Sequence, residues 1–169
     1  IKATSARPTF KGLALTAESV NVNPIVTDLF FSCVWEDIEN IDDWVQEYAI
    51  RRYGKENENI AKAMKILLKT AYGNDTGALS FGATESMFCR RPLDPETKMF
   101  TARGVVKIPY SKDDFNETVK LFLADYDKFK HNECYVYDAV DLLRQSLANK
   151  LSHLAKKCAS EYKSKDYFA

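Results

Sequence analysis

One glutamate, Glu18, stands where many α/β enzymes carry a catalytic carboxylate. It follows a short apolar segment, residues 12–17, and precedes a polar loop that ends at Pro24. In barrel enzymes, catalytic side chains project from the C-terminal ends of parallel strands, where the following loops enclose the substrate. The pattern alone does not fix the role, because most glutamates at such positions are only solvated. Glu18 is therefore a candidate catalytic carboxylate.

Two asparagines share the loop after Glu18. Asn21 and Asn23 carry amide groups that can hydrogen-bond a polar substrate, so both are candidate substrate-binding residues. Helix capping explains Asn23 equally well, because Asn is a preferred N-cap residue.

The other reactive side chains form no recognisable site. Four cysteines are widely scattered without a CxxC pair, so we expect no metal site. We interpret them as buried free thiols, although the sequence leaves disulfide pairing open. The acidic stretch 36–43 lacks the spacing of a calcium-binding loop and is interpreted as a solvated linker or the start of a helix. No cofactor is expected.

The elements around Glu18 indicate a strand, a loop and a helix. Residues 12–17 form a continuous apolar run, which is typical of a buried parallel strand. Asn23 followed by Pro24 predicts a helix start. Because the backbone groups of a buried strand need neighbouring strands, this βα unit requires partners that the chain does not supply. The first residue, Ile1, is not an initiator methionine, and we expect a processed or trimmed chain or a fragment of a longer one.

The remainder of the chain predicts four helices. Asp43 and Gln46 resemble a capping box for the first, and Gly54 ends it. The second ends at Gly73. The predicted buried face of the first helix is Trp44, Val45, Tyr48, Ala49 and Tyr53. That of the second helix is Ile60, Ala63, Met64, Leu67, Leu68, Ala71 and Tyr72.

A long loop separates these two helices from the last two. Residues 74–110 show little periodicity, and Ser111 is the predicted cap of the third helix. The fourth is predicted from about Val136. The predicted buried residues are Phe115, Val119, Phe122, Leu123, Tyr126 and Phe129 on the third helix, and Val140, Leu143, Leu147, Leu151, Leu154, Cys158 and Tyr162 on the fourth.

The charge balance excludes two classes of partner. Lysine plus arginine and aspartate plus glutamate each number 24, so the net charge is zero. A dedicated nucleic-acid or anionic-membrane binder usually carries a basic excess. The apolar runs are also too short for a membrane span. Two sequons, at Asn74 and Asn116, are candidate glycosylation sites if the protein enters the secretory pathway.

Several short motifs of a known family lie along the chain from about Lys11 onward. They are residues 12–18, Asn23-Pro24, Trp35, residues 43–45, Ala49, residues 51–54, Leu67-Leu68, Tyr72, residues 90–92 and residues 137–145. Together they resemble the α-N-acetylglucosaminidases of glycoside hydrolase family 89. The helical motif Arg-Arg-Tyr-Gly at 51–54 is specific mainly in combination with the later Asp-Leu-x-Arg-Gln at 141–145.

The resemblance implies a (β/α)₈ barrel followed by a large helical domain. Residues 1–39 would be the end of the catalytic barrel, its last strand and helix, and residues 40–169 part of the C-terminal helical domain. The chain itself is then mainly α. The implied activity is removal of terminal α-linked N-acetylglucosamine with retention of configuration, notably from heparan sulfate in lysosomes, with Glu18 at the nucleophile position.

The general acid implied by the resemblance is a glutamate after asparagine on an earlier barrel strand. Glu58, Glu117 and Glu133 each follow an asparagine, but all lie after the barrel portion, in helical or loop contexts. We therefore expect the acid outside this chain, the chain alone to be inactive, and the remainder of the same enzyme to be its partner. A lysosomal or secreted location is expected, and a homo-oligomer is left open.

One departure from the family pattern favours an alternative. Ser19 follows Glu18 where the family commonly has glycine, which puts activity more in doubt than membership. The alternative is a non-catalytic relative that kept the helical scaffold and acts as a structural or interaction subunit.

Overall fold

The computed structural model describes residues 9, 12, 14–16, 23–73 and 110–164, apart from the side chains of residues 152, 155, 156 and 159. The regular structure of this part of the chain is helical, as predicted. In chain order the helices are α1 (Pro24–Trp35), α2 (Ile41–Tyr53), α3 (Glu58–Lys69), α4 (Lys112–Leu123), α5 (Tyr126–Phe129) and α6 (Glu133–Lys163).

The described residues of the predicted strand, 12 and 14–16, do not form a strand. Gly12 and residues 14–16 belong to neither a helix nor a strand, and all four are exposed. The rest of the segment, including Glu18, lies outside the described residues. A buried strand forms only when neighbouring strands pair with its backbone, and the described part of this chain offers none.

Asparagine side chains cap the N-termini of four of the described helices. Asn23 Oδ1 accepts from the Ile25 N–H at 3.3 Å, which confirms the predicted start of α1. The predicted capping box at Asp43 is wrong, since α2 begins earlier with Asn40 as its cap. The Asn40 amide instead donates to the Asp43 carboxylate at 2.8 Å, which holds that acid within the first turn.

The predicted third helix is divided in two. Ser111 caps α4 as predicted, its Oγ accepting from the Asp114 N–H at 3.2 Å. The helix then ends at Leu123, and α5 follows as a single turn. Asp125 lies between them, and its carboxylate accepts hydrogen bonds from the side-chain amides of Asn57 and Asn59 at the start of α3. These bonds hold Asp125 out of helical geometry.

Helix α6 buries a different face from the predicted one. It begins at Glu133, with Asn132 as its cap, and its buried apolar residues are Tyr135, Ala139 and Leu142. The predicted core stripe is largely exposed, with Val140 at 59%, Leu147 at 62% and Leu154 at 48%. The helix carries two apolar faces, and the other described helices pack against only one of them.

Helices α2, α3, α4 and α6 enclose the core. Helix α3 packs against α4 and α2, and α6 packs against α4 and α2. The predicted buried faces of α2 and α3 are confirmed except at Leu68, Ala71 and Tyr72, which are half-buried. Tyr135 is the centre of an aromatic cluster, with ring centroids 4.7 Å from Phe122 and 5.1 Å from Phe129.

Two further features concern the described residues alone. Cys134 and Cys158 are exposed free thiols and Cys33 is half-buried, so the expectation of buried cysteines is wrong at these positions. None of the described helices is long and apolar enough to cross a membrane.

Candidate functional site

The sequence-predicted site residues fall into two groups. Glu18, Asn21 and Asn74 lie outside the described residues. Asn23 lies at the N-terminus of α1, and Asn116 lies within α4. The two described asparagines therefore belong to different helices, and the site is developed from Asn23, which is the described candidate closest in sequence to Glu18.

Asn23 connects the loop after Glu18 to the helices. Its Oδ1 caps α1, and its backbone carbonyl accepts from the Thr27 hydroxyl at 3.3 Å. Tyr72, beyond the end of α3, lies nearby, and Asn23 and Tyr72 line the same small cavity. These contacts are internal to the chain, so the structure gives Asn23 a role in holding the start of α1.

A small cavity lies beside the Asn23 and Tyr72 side chains. Its volume is about 20 Å³, which is room for one water molecule and far too little for a sugar ring. It is lined by the polar residues Asn23, Tyr48, Tyr53, Tyr72, Asp138 and Asp141 and by the apolar residues Pro24, Ile25, Met64, Leu67, Phe122 and Leu142.

Arg52 and Asp138 form a bidentate pair on one side of this cavity. Arg52 Nε donates to Asp138 Oδ2 at 2.5 Å, and Arg52 Nη2 donates to Oδ1 at 2.9 Å. The Tyr53 hydroxyl donates to the same Oδ2 at 2.8 Å. The hydrogen bond to Asp138 raises the pKa of Arg52. The carboxylate is therefore held by three donors from α2.

Three tyrosines around the cavity are kept neutral. Burial raises the pKa of Tyr48 and of Tyr53 well above the ordinary value, and the Asp138 charge adds to both shifts. Burial also raises the pKa of Tyr72, against a smaller opposite effect of the neighbouring Asn23 side chain. Neutral phenols donate and accept hydrogen bonds but are poor acids or bases near neutral pH. The cluster can position groups but supplies no proton-transfer catalyst.

Glu58, Glu117 and Glu133 have surroundings unlike those of a general acid. Glu58 pairs with Lys62 at 2.7 Å, and this hydrogen bond lowers the pKa of Glu58. Glu117 pairs with Lys120 at 3.3 Å, and Glu133 is an exposed first residue of α6. A glycosidase acid needs a raised pKa. That the acid lies elsewhere stays a prediction.

Asn116 is exposed on α4, as a glycan acceptor must be. Its Oδ1 accepts from the Ser146 hydroxyl on α6 at 2.7 Å. Thr118, the third residue of the sequon, is buried and donates to the Asp114 carbonyl at 3.1 Å. Glycosylation at Asn116 stays a prediction.

Comparison with known proteins identifies the helical region. A family model described as the α-N-acetylglucosaminidase (NAGLU) C-terminal domain matches residues 44–169. The chain belongs to this family. Human α-N-acetylglucosaminidase is 28% identical over 161 residues, which are 94% of this chain and 20% of the human protein.

Solved structures of α-N-acetylglucosaminidase relatives share the fold. A Clostridium perfringens enzyme with two Glu-to-Gln substitutions, in complex with its substrate GlcNAc-α-1,4-galactose, matches with a TM-score of 0.75 and 32% identity over 88% of this chain and 17% of its own. The family 89 glycoside hydrolase from the same organism, in complex with PUGNAc, matches with a TM-score of 0.74 and 33% identity over 87% and 17%. The chain spans a fifth or less of these relatives.

No functional role was predicted from the sequence for Arg52, Tyr72 or Asp138 of this α-N-acetylglucosaminidase domain. All three lie in motifs that carried the family resemblance, which was the available signal. The pairing of Arg52 with Asp138 depends on the packing of α2 against α6, which sequence spacing does not show.

Proposed function

We propose that this chain is the C-terminal portion of a retaining α-N-acetylglucosaminidase in which Glu18 is the nucleophile. The match of the family's C-terminal domain to residues 44–169 carries the proposal. Glu18 lies within the 12–18 motif of the same family. Asn23, the fifth residue after it, is at the N-terminus of α1, as expected for a loop that leaves a barrel strand and enters a helix.

The chemistry requires two carboxyl groups about 5–5.5 Å apart. The Glu18 carboxylate attacks the anomeric carbon and forms a glycosyl-enzyme, while a second carboxylic acid protonates the leaving oxygen. That second group, as a carboxylate, then removes a proton from water, which attacks the anomeric carbon, releases Glu18 and restores the original configuration. The acid/base glutamate comes from another part of the complete enzyme.

The remainder of the same enzyme is the proposed partner of this chain. Residues 1–39 would complete the (β/α)₈ barrel, and residues 40–169 would form part of the helical domain. Two observations support this division. The described residues of the apolar segment 12–17 are exposed and unpaired, and α6 has an exposed apolar face. Both need cover that the described residues do not provide.

The proposed substrate is a glycan with a terminal α-linked N-acetylglucosamine, as in heparan sulfate. The disaccharide bound by the Clostridium perfringens relative has such a terminal residue. We propose a lysosomal or secreted location, with glycans at Asn74 and Asn116, on the likeness to human α-N-acetylglucosaminidase and on the two sequons. No cofactor takes part in this chemistry.

The proposal is tested by replacing Glu18 in the complete enzyme. Glu18→Gln keeps the shape of the side chain but removes the nucleophilic charge, so turnover of an aryl α-N-acetylglucosaminide should fall by orders of magnitude. Glu39→Gln, at an exposed glutamate before α2, is the matched control and should leave the rate unchanged. Circular dichroism should show that both variants fold.

A second variant distinguishes a nucleophile from an acid. In Glu18→Ala, azide can occupy the vacated space and attack the anomeric carbon in a single displacement. The expected product is the β-glycosyl azide, inverted from the α-linked substrate. Undiminished turnover by Glu18→Gln would remove Glu18 from the mechanism, and an α-glycosyl azide would assign it the acid/base role instead.

A further inference from the structure

The third residue of the Asn116 sequon is enclosed in the folded domain. Thr118 is 0% exposed, and its hydroxyl donates to the Asp114 carbonyl, one turn earlier in α4, at 3.1 Å. Phe115 and Phe122 belong to the same buried face of the helix. Helix α4 packs against α3 and α6. The Thr118 hydroxyl therefore becomes accessible only when α4 separates from the other helices.

The asparagine of the same sequon stays open to solvent. Asn116 is exposed, and its Oδ1 accepts from the Ser146 hydroxyl on α6 at 2.7 Å. This bond uses the carboxamide oxygen, whereas an N-linked glycan is attached to the nitrogen, Nδ2. A glycan on Nδ2 keeps the oxygen as an acceptor, so it is compatible with the bond to Ser146. The folded domain can therefore carry a glycan that is already attached at Asn116.

Helical geometry separates the two groups that glycosylation requires together. The acceptor motif needs a hydroxyl residue two positions after the asparagine, so the transferring enzyme must reach both side chains. Residues two apart in an α-helix do not face each other. In α4, Asn116 accordingly faces solvent and Thr118 faces the core. An enzyme that approaches the folded domain from solvent meets only half of the motif.

We propose that Asn116 is glycosylated only before α4 forms and packs, and that folding then closes the site. The donor is an oligosaccharide linked to a lipid diphosphate. The bond from its anomeric carbon to the diphosphate oxygen breaks, and the diphosphate leaves with the electron pair. A new bond joins the anomeric carbon to Nδ2, which loses one proton to a base of the transferase. The proposal rests on the proposed lysosomal or secreted location, and it makes the occupancy of Asn116 depend on how fast α4 folds.

The direct test offers folded and unfolded acceptors to the same transferase. The complete enzyme is prepared from cells in which N-glycosylation is blocked, and circular dichroism confirms that it is folded. A peptide of residues 110–123 is the unfolded acceptor, because an isolated helix of this length is marginal in water. With purified oligosaccharide transferase and the lipid-linked donor, transfer to Asn116 of the folded enzyme should be about a hundredfold or more slower than transfer to the peptide, since it requires local unfolding.

A second experiment follows the competition between folding and transfer in cells. Ser111→Ala removes the Oγ that caps α4 by accepting from the Asp114 N–H, so the helix forms less readily and the occupancy of Asn116 should rise. Asp113→Asn changes an exposed residue of the same turn, retains the cap and should leave the occupancy unchanged. The donor supply is partly inhibited so that the wild-type occupancy is incomplete, and peptide mass spectrometry measures the occupied fraction.

The outcomes distinguish this proposal from the proposed function. Transfer to the folded enzyme at a rate similar to that of the peptide would overturn closure of the site, as would equal occupancy in wild type and Ser111→Ala. An enzyme isolated from its own cells without a glycan at Asn116 would overturn modification at this residue. Absence of N-glycans from the whole enzyme would also overturn the proposed location. None of these results changes the outcome of Glu18→Gln, which tests the hydrolase mechanism separately.

Discussion

Arg52 and Asp138, 86 residues apart in sequence, meet through two parallel hydrogen bonds of 2.5 and 2.9 Å. Their side chains are 18% and 16% exposed, so the pair is largely withdrawn from water. The planar guanidinium matches the carboxylate geometry in a way that a lysine does not. This pair connects the helix that follows the linker, α2, to the long helix α6.

Removing the Asp138 charge should destabilise the helical domain strongly. Asp138→Asn leaves the Arg52 guanidinium without its counter-charge, at an expected cost of about 3 kcal/mol in the free energy of unfolding. Asp127→Asn is the matched control, because the Asp127 side chain is 88% exposed and pairs with Lys130 at the surface. That change should cost less than about 1 kcal/mol. Urea unfolding followed by circular dichroism measures both, and equal losses would contradict the prediction.

Asp125 should make stability sensitive to acid. Hydrogen bonds from Lys128, Asn57 and Asn59 lower the pKa of its carboxyl from 3.8 to about 2. Because the folded-state pKa is depressed, the stabilisation is complete above the unfolded value of 3.8 and is lost as the pH falls toward 2. The free energy of unfolding should decline between these two pH values.

The Asp125→Asn variant tests this assignment. It should be less stable at neutral pH and decline less steeply below pH 3.8. The two stability curves should converge near pH 2, where the wild-type carboxyl is half protonated. Asp113→Asn, at an exposed residue in the first turn of α4, serves as control. Parallel acid profiles for wild type and Asp125→Asn would show that other carboxyls control the decline.

Gly54 caps the end of α2 and Gly73 lies four residues after the end of α3, and the two should respond differently to alanine. Gly54 has φ +83°, and a Cβ there meets nothing within 4 Å. Gly54→Ala should therefore cost only the left-handed backbone penalty, about 1–2 kcal/mol, and Gly54→Asn less. At Gly73 a Cβ would overlap the Leu68 carbonyl oxygen, and we expect a loss of about 2–3 kcal/mol. Similar urea midpoints for the two alanine variants would contradict this contrast.

The helices were predictable because their signals are local. Asn23 and Ser111 are caps whose acceptors reach N–H groups two or three residues away. The buried faces of α2 and α3 follow from apolar spacing alone. The division at Asp125 was not predictable, because it depends on Asn57 and Asn59, more than sixty residues earlier in the chain. The choice between the two apolar faces of α6 depends equally on distant packing.

The site was predictable only in part, for a related reason. Asn23 was identified from its position after Glu18, with capping as the alternative. Asn23 and Tyr72 line the same small cavity, although sequence spacing leaves them unrelated. Asp138 belongs to a recognisable motif, but its three donors come from α2. The motifs therefore indicated which residues are typical of the family, and the helix packing shows which side chains those residues contact.

The exposed face of α6 leads to a prediction about the complete enzyme. Val140, Leu147 and Leu154 recur every seven residues along this face, and Cys158 lies one turn beyond Leu154. The chain spans 17–20% of its relatives, so the proposed remainder of the enzyme would be available to cover an apolar face of this length. We therefore expect the Cys158 thiol to be protected in the complete protein although it is exposed in this chain.

Cys134 provides the internal control, because it is also exposed but lies on another face of the same helix. In the native enzyme a maleimide should modify Cys134 rapidly and Cys158 slowly, as measured by peptide mass spectrometry over time. After unfolding in guanidinium, both thiols should react at similar rates, because the protection comes from packing. Cys134→Ser should remove the fast phase and confirm its assignment. Rapid modification of Cys158 in the native enzyme would show that this face of α6 remains open to solvent and that any further part of the enzyme packs elsewhere.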